Sequence, residues 1–203
     1  MEMLVGLSIL ALLSVMSWRG LDSMLRSQER LRERGQILAS LQTALAQWML
    51  DLDQAADNPY LPALNWDGRQ LRIVRRAMGE DALVVVAWGL RPVSAAQGAG
   101  TPVWRRWQSA PVRDRAALLK AWGEAAPGLD DASAAVTLVA AQSWTLQMHQ
   151  GAGWMQPPLM DRETPWPEPA TAVRLRLQLP ANSVLSGALQ LDWANPMQHR
   201  GRP

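Results

Sequence analysis

The sequence predicts an α+β protein in which one long N-terminal helix packs on antiparallel β-sheets. Three observations predict it. An apolar run, residues 3–18, passes without a break into a charged, one-sided stretch that reaches Asn58-Pro59. Beyond Pro59 the apolar positions change to the two-residue period and short runs of a sheet. The composition, 48% apolar and 19% charged over 203 residues, is that of a chain able to bury a core.

Between Met3 and Trp18 only Gly6, Ser8, Ser14 and Ser17 interrupt the apolar residues. Sixteen residues of helix rise about 24 Å, a little short of a bilayer's hydrocarbon core of about 30 Å. The run is apolar on every face, unlike a half-exposed helix. A buried core helix is the plain alternative. A signal peptide is another, with Val15 and Ser17 as a poor cleavage site before Trp18. No basic residue precedes the run, and Glu2 stands in front of it, which argues against a signal peptide.

From Arg19 the helix turns amphipathic. Met24, Leu31, Leu38, Leu45 and Leu52 recur every seven residues, and Leu21, Leu41 and Trp48 fill neighbouring positions. Arg26, Glu29, Arg30, Arg32, Glu33 and Arg34 take the other faces. A coiled coil is the plain alternative, although Gln28, Gly35 and Gln42 in companion positions argue against a dedicated seam. Gly20 and Gly35 each weaken the helix by about 1 kcal/mol relative to Ala without ending it. The first firm stop is Asn58-Pro59, so the expected helix runs over 3–57 and is about 80 Å long.

The rest reads as sheet. Segments 70–78 and 81–90 flank Gly79-Glu80, a hairpin turn, and "TPVWRRWQSAP" (101–111) is a third strand. "AAQGAG" (95–100) is a flexible loop. Residues 112–125 form a short helix with Asp114 near its start and Pro127-Gly128 after its end. Residues 135–150 read as one long or bent strand, 151–154 as a turn, and 156–169 as a Pro-rich surface loop. "TAVRLRLQLP" (171–180) alternates strictly, and "SGALQLDWA" (186–194) does likewise, the mark of antiparallel sheet with one wet face.

Reaction chemistry is scarce. The chain has no Cys, which excludes disulfides, thiolate metal sites and thiol catalysis. Net charge is only +2, against the basic stripe expected of a nucleic-acid binder. His149 and His199 are the two histidines; neither lies in a catalytic motif, and no nucleophile elbow, P-loop or dinucleotide pattern is present. Asp51 and Asp53 fall on different helix faces, and Asp130-Asp131 reads as a loop without a patterned oxygen-ligand set. "WRRW" (104–107) could stack on single-stranded nucleic acid; the plainer reading is a strand with one Trp and one Arg on each face. No enzyme activity, metal or cofactor is expected.

The stretch "EMLVGLSILALLSVMSWRGLDSMLRSQERL" resembles the start of mature type IV pilin-like proteins and is similar in particular to the minor pseudopilin J of type II secretion. Glu2-Met3-Leu4-Val5 corresponds to the family's stretch from its glutamate onward, and Arg19-Gly20-Leu21-Asp22-Ser23 to a later segment. Weaker similarity runs through "RQLRIVRR", "VWRRWQS", "AVRLRLQLP" and "GALQLDW". The resemblance implies a pilin-like fold and a structural role, priming pseudopilus assembly and protein export from a tip complex with the I- and K-type minor pseudopilins and the major pseudopilin. It implies that Glu2 serves assembly, by neutralising a neighbour's terminal amine. A carboxylate in hydrocarbon costs several kcal/mol unless paired. Met3, Leu4, Val5, Gly6, Leu7, Ser8, Ile9, Ala11 and Ser14 would lie first in inner-membrane lipid and later in a filament core, the small ones permitting close helix contact.

The implied division is 1–18 as the transmembrane and filament-core half of the helix, 19–57 as its amphipathic half, 58–194 as a periplasmic β-rich head and 195–203 as a loose tail. The stripe from Leu31 to Leu52 would be shared between the protein's own sheets and neighbouring subunits. The expected location is the bacterial inner membrane, single-pass, with the head in the periplasm. Five arginines between 19 and 34 would by charge alone favour a cytoplasmic head. In the family a Phe lies three positions before the residue matching Met1, preceded by a Gly and a basic leader; the expectation is a start codon placed too late or a lost leader. A minor type IV pilin of a surface pilus or DNA-uptake system is the alternative, with "WRRW" touching DNA. Nucleic acid is otherwise an unexpected partner.

Overall fold

A computed structural model describes residues 2–93, 100–151, 153–159, 170–181, 183 and 185–196, without the side chains of Glu2, Leu4 and Ser8. The expected loop at 95–100, the Pro-rich loop from 160 to 169, His199 and the tail from 197 therefore lie wholly or almost wholly outside the described residues.

Helix α1 spans Glu2–Asp53, 52 residues. It is rich in Leu, Ala, Gln and Arg and has no Pro, so nothing in it opposes helical backbone. It ends four residues before the expected 57 because the sheet captures the chain. Ala56 N–H donates to Val74 O at 2.9 Å, and Ala55 bridges Arg75. A backbone committed to a β ladder cannot also continue a helix.

Two compact units are present, residues 1–39 and 40–203. The first is the leading part of α1 alone. Among its described residues the side chains are almost all exposed. Ser14 Oγ donates to Leu10 O at 2.9 Å, and Arg26 pairs with Asp22 one turn away.

Among the described residues the second unit holds the last turns of α1, a helix α2 and nine strands. Strands β1 (Leu64–Trp66), β2 (Gln70–Arg76), β3 (Leu83–Arg91), β4 (Val103–Gln108) and β5 (Val136–Ala140) form an antiparallel sheet in chain order. Strands β6 (Ser143–Gln150), β7 (Gly153–Met155), β8 (Ala172–Leu179) and β9 (Gly187–Ala194) form a second one, ordered β7-β6-β8-β9. The fold is thus α+β, a long helix on antiparallel sheets. Gly79 closes the β2–β3 hairpin at φ +74°, a conformation that favours glycine.

One expected long strand is two. Residues 135–150 change sheets at Ala141-Gln142, where Ala141 N–H donates to Pro102 O and Gln142 N–H to Gln178 O. A continuous apolar pattern does not reveal such a switch, because both halves have one buried face. The short β1 was not expected either.

Helix α2 (Arg115–Asp130) starts three residues after the expected 112, because Val112 is held in a bridge to Leu83; Asp114 caps the start, its carboxylate accepting from Ala117 N–H at 2.8 Å. It does not stop before Pro127-Gly128; both lie inside it, as does Asp130. The face Leu118, Ala121, Trp122, Ala125 and Leu129 is buried against the first sheet, and that packing outweighs the breakers. Gly128 has a steric reason. A Cβ there would lie 2.2 Å from Trp107 Nε1, inside the indole ring's space. Gly128→Ala is expected to cost about 1–3 kcal/mol through displaced packing, seen as a lowered urea midpoint. An unchanged midpoint would mean that Trp107 moves freely.

The main core joins Leu41, Ala44, Trp48 and Leu52 of α1 to Leu71, Ile73, Val84, Val86, Trp88 and Trp104 of the first sheet and to Leu146, Met148, Val173, Leu175, Leu177 and Trp193 of the second. Spacings of three and four along α1 put its four on one face. In β8 the expected alternation holds, with Val173, Leu175, Leu177 and Leu179 inward.

Candidate assembly surface

Surface and core divide the sequence-predicted residues. Every described large apolar side chain from Met3 to Trp18 is more than half exposed. Val5, Leu7 and Ile9 are among them, and Gly6 has open space around its Cα. Ala11 is exposed, and the exposed Ser14 bonds only within its own helix. The helix is long and apolar enough to cross a membrane, with none of that apolar stretch buried. Among the described residues this stretch is exposed, unlike the buried helix of a soluble core. The side chains of Glu2, Leu4 and Ser8 lie outside the description.

The seven-residue stripe changes environment along its length. Met24, Leu31 and Leu38 are exposed, Leu45 is half-buried, and Leu52 is buried at 1% exposure. The three exposed positions lie in the first unit, where almost every described side chain is exposed whichever face it takes; Leu45 and Leu52 lie in the second unit and face its core.

Sequence reasoning missed the polar centre of the head. Asp51 is 0% exposed. It accepts two hydrogen bonds from Arg106, Nε to Oδ2 at 2.8 Å and Nη2 to Oδ1 at 2.9 Å. Trp88 Nε1–H donates to Oδ2 at 2.9 Å, and Gln47 Nε2 to Oδ1 at 2.9 Å. Arg75 Nε lies 3.0 Å from Oδ1. Burial pushes the Arg75 guanidinium below the ordinary arginine range; Asp51 opposes that shift and Arg106 adds to it. One carboxylate thus ties the end of α1 to β2, β3 and β4. The partners stand 24, 37 and 55 residues away in sequence, so no local spacing could have shown them. Asp53 does face elsewhere, accepting from Trp193 Nε1 at 2.7 Å.

"WRRW" is structural. Trp104 and Arg106 face the main core, while Arg105 and Trp107 face α2. With Trp104 at 0% and Trp107 at 8% exposure, neither ring offers a base a stacking surface.

On the second sheet's wet face, Thr171 Oγ1 donates to His149 O at 2.8 Å, so the 2.9 Å contact with His149 Nδ1 makes that nitrogen the donor. His149 is held as a structural residue. Arg174 lies 3.9 Å from the Trp154 ring centroid and donates twice to Asp192 at 2.7 Å. The hydrogen bonds from Arg174 hold the Asp192 carboxyl below the ordinary carboxylate range. A group whose folded pKa is lowered stabilises the fold above its unfolded pKa of about 4 and loses that contribution as pH falls through the folded value. Asp192 is therefore expected to titrate below about 4 in an NMR titration. A midpoint at or above that value would show the pair open in solution.

A cavity of about 550 Å³ lies beneath the end of α1, between Leu52, Asp53, Tyr60, Arg76 and Trp193. Among the described residues no group of three or more His, Asp or Glu is placed to hold a metal ion. Asp131 is occupied by Ser133, whose N–H and Oγ both donate to it.

No protein-family model matches the chain, and no curated protein matches it. Among solved structures it is similar to a chain described as belonging to the crystal structure of the GspK-GspI-GspJ complex from the type 2 secretion system of enterotoxigenic Escherichia coli. The identity is 17%, with 78% of this chain and 96% of that chain covered, at a TM-score of 0.49.

Proposed function

We propose that this chain is a minor pseudopilin of the J type in type II secretion, a structural subunit that helps prime the pseudopilus with I- and K-type subunits. The observation that carries the reading is the exposed apolar helix. Among the described residues, the large apolar side chains from Met3 to Trp18 are all more than half exposed, at about the length of a bilayer span. The quoted resemblance supplies the rest: lipid first, a bundle of like helices later, and Glu2 as the group that fixes register. Two opposite charges paired in an apolar bundle specify register because any slip leaves both unpaired. The head sits in the periplasm on this reading, and the protein works by assembly rather than catalysis.

The test is deletion of the gene, with the full chain and its Glu2→Ala variant supplied back. Deletion should stop release of type II cargo while leaving surface piliation and DNA uptake intact. Glu2→Ala should reach wild-type levels in the inner membrane yet enter the filament about tenfold less or worse, the effect of stranding one buried charge. Wild-type incorporation of Glu2→Ala would remove the role given to that acid. Loss of piliation or DNA uptake with intact secretion would favour the type IV pilin alternative. A catalytic activity in the purified chain would overturn both.

A further inference from the structure

The second sheet ends on an edge that lacks the usual protection. Of the four edge strands among the described residues, β1 and β7 have three residues each and β5 has five, whereas β9 has eight. Short edges are poor templates for foreign strands, and long ones are normally blunted by Lys, Pro or a bulge. The β9 sequence, GALQLDWA, contains none of these; its one charge, Asp192, is already bonded to Arg174 on the wet face.

The hydrogen-bond phase fixes which groups are open. Asn195 N–H donates to Thr171 O at 2.8 Å, in the register that pairs Leu191 with Leu175. Antiparallel residues alternate between bonding to the neighbour and facing away. The odd-numbered residues of β9 therefore bond to β8, and the N–H and C=O groups of Ala188, Gln190, Asp192 and Ala194 point away from the sheet. Among the described residues nothing bonds them. The apolar face stops early at the same edge. Leu175 and Leu177 of β8 are fully buried, while their cross-strand partners Leu191 and Leu189 are only partly covered.

We propose that β9 is a dimerisation edge, and that its occupant is the β9 strand of a second copy of this chain, antiparallel about a two-fold axis through Leu191. That register uses all four outward residues. Ala188 of one copy pairs with Ala194 of the other and Gln190 with Asp192, each twice by symmetry. On the inner face Leu191 meets its own counterpart and Leu189 meets Trp193, so the uncovered leucines gain apolar neighbours. The outer face sets a Gln190 amide against Asp192, and no like charges oppose one another. The inference does not depend on the pseudopilin reading.

The chain's lack of cysteine makes the test clean. In the full-length protein in detergent micelles, Leu191→Cys lies on the axis, where facing Cα atoms approach to about 4.5 Å, within reach of a disulfide. Ala188→Cys would lie about 20 Å from its counterpart. Mild oxidation should give a covalent dimer of Leu191→Cys and none of Ala188→Cys. Gln190→Pro removes an outward N–H, a substitution an edge strand tolerates. It should lose the non-covalent dimer while keeping the circular-dichroism melt. Equal cross-linking of the two cysteine variants, a Gln190→Pro protein that stays dimeric, or a Leu191→Cys bond formed only to a different protein would each overturn the proposal.

Discussion

Asp51→Ala is expected to cost the head about 3–5 kcal/mol, the cost of breaking a buried ion pair from one side. Whole domains are stable by only about 5–15 kcal/mol, so the variant should be near or past unfolding at 37 °C. The carboxylate faces two guanidiniums, Arg75 and Arg106, whose side chains are only 6% and 12% exposed. Without it both cations remain, and the Trp88 indole N–H loses its acceptor. Asp51→Asn should fall between, since it keeps an acceptor oxygen but no charge. Removing Arg106 as well, as Asp51→Met with Arg106→Met, should recover part of the loss, because one stranded cation leaves with the anion. Urea unfolding followed by tryptophan fluorescence on the full chain measures all of these. A loss below about 1 kcal/mol for Asp51→Ala would mean that water reaches the site and screens the cations.

Trp48→Ala is expected to be as severe, about 3–5 kcal/mol. Its ring meets Trp88 edge-on at 5.3 Å and 81°, and lies 5.7 Å from Trp104 and 6.3 Å from Trp144. Truncation leaves a void among three large, rigid rings that cannot collapse into it. Trp48→Phe should be much milder than its lost volume suggests. Among the described residues the Trp48 indole N–H has no acceptor, and Phe removes that unsatisfied donor along with the second ring. If Trp48→Phe proved as costly as Trp48→Ala, edge-on packing of the indole would outweigh donor satisfaction.

Much of the fold was legible because its signals are local. The alternation in 171–180 became β8, the turn at Gly79 became a hairpin, and Asp114 became a helix cap. The unbroken helix could be read through Gly20 and Gly35 because neither is followed by a stop. What escaped depended on distant partners. Pro127-Gly128 looked like an end until Trp107, twenty-one residues away, supplied the reason for a glycine. For Asp51 the sequence showed only that it lies on a different helix face from Asp53, since nothing near it in sequence signals two arginines and an indole. The change of sheet at Ala141-Gln142 left no mark because both halves of the segment bury a face in the usual way. The candidate surface was legible as an apolar run; the β9 edge was not, since an edge is defined only once strand order is known.

The Asp51 contacts also govern how the head answers mechanical load. Tension drawn along the long helix enters the head at its last turns, where the carboxylate grips Arg75 and Arg106 on β2 and β4 and Trp48 is wedged among rings from β3, β4 and β6. Extraction would have to shear these attachments together instead of peeling them one by one, so the rupture force should drop sharply when either side chain is removed.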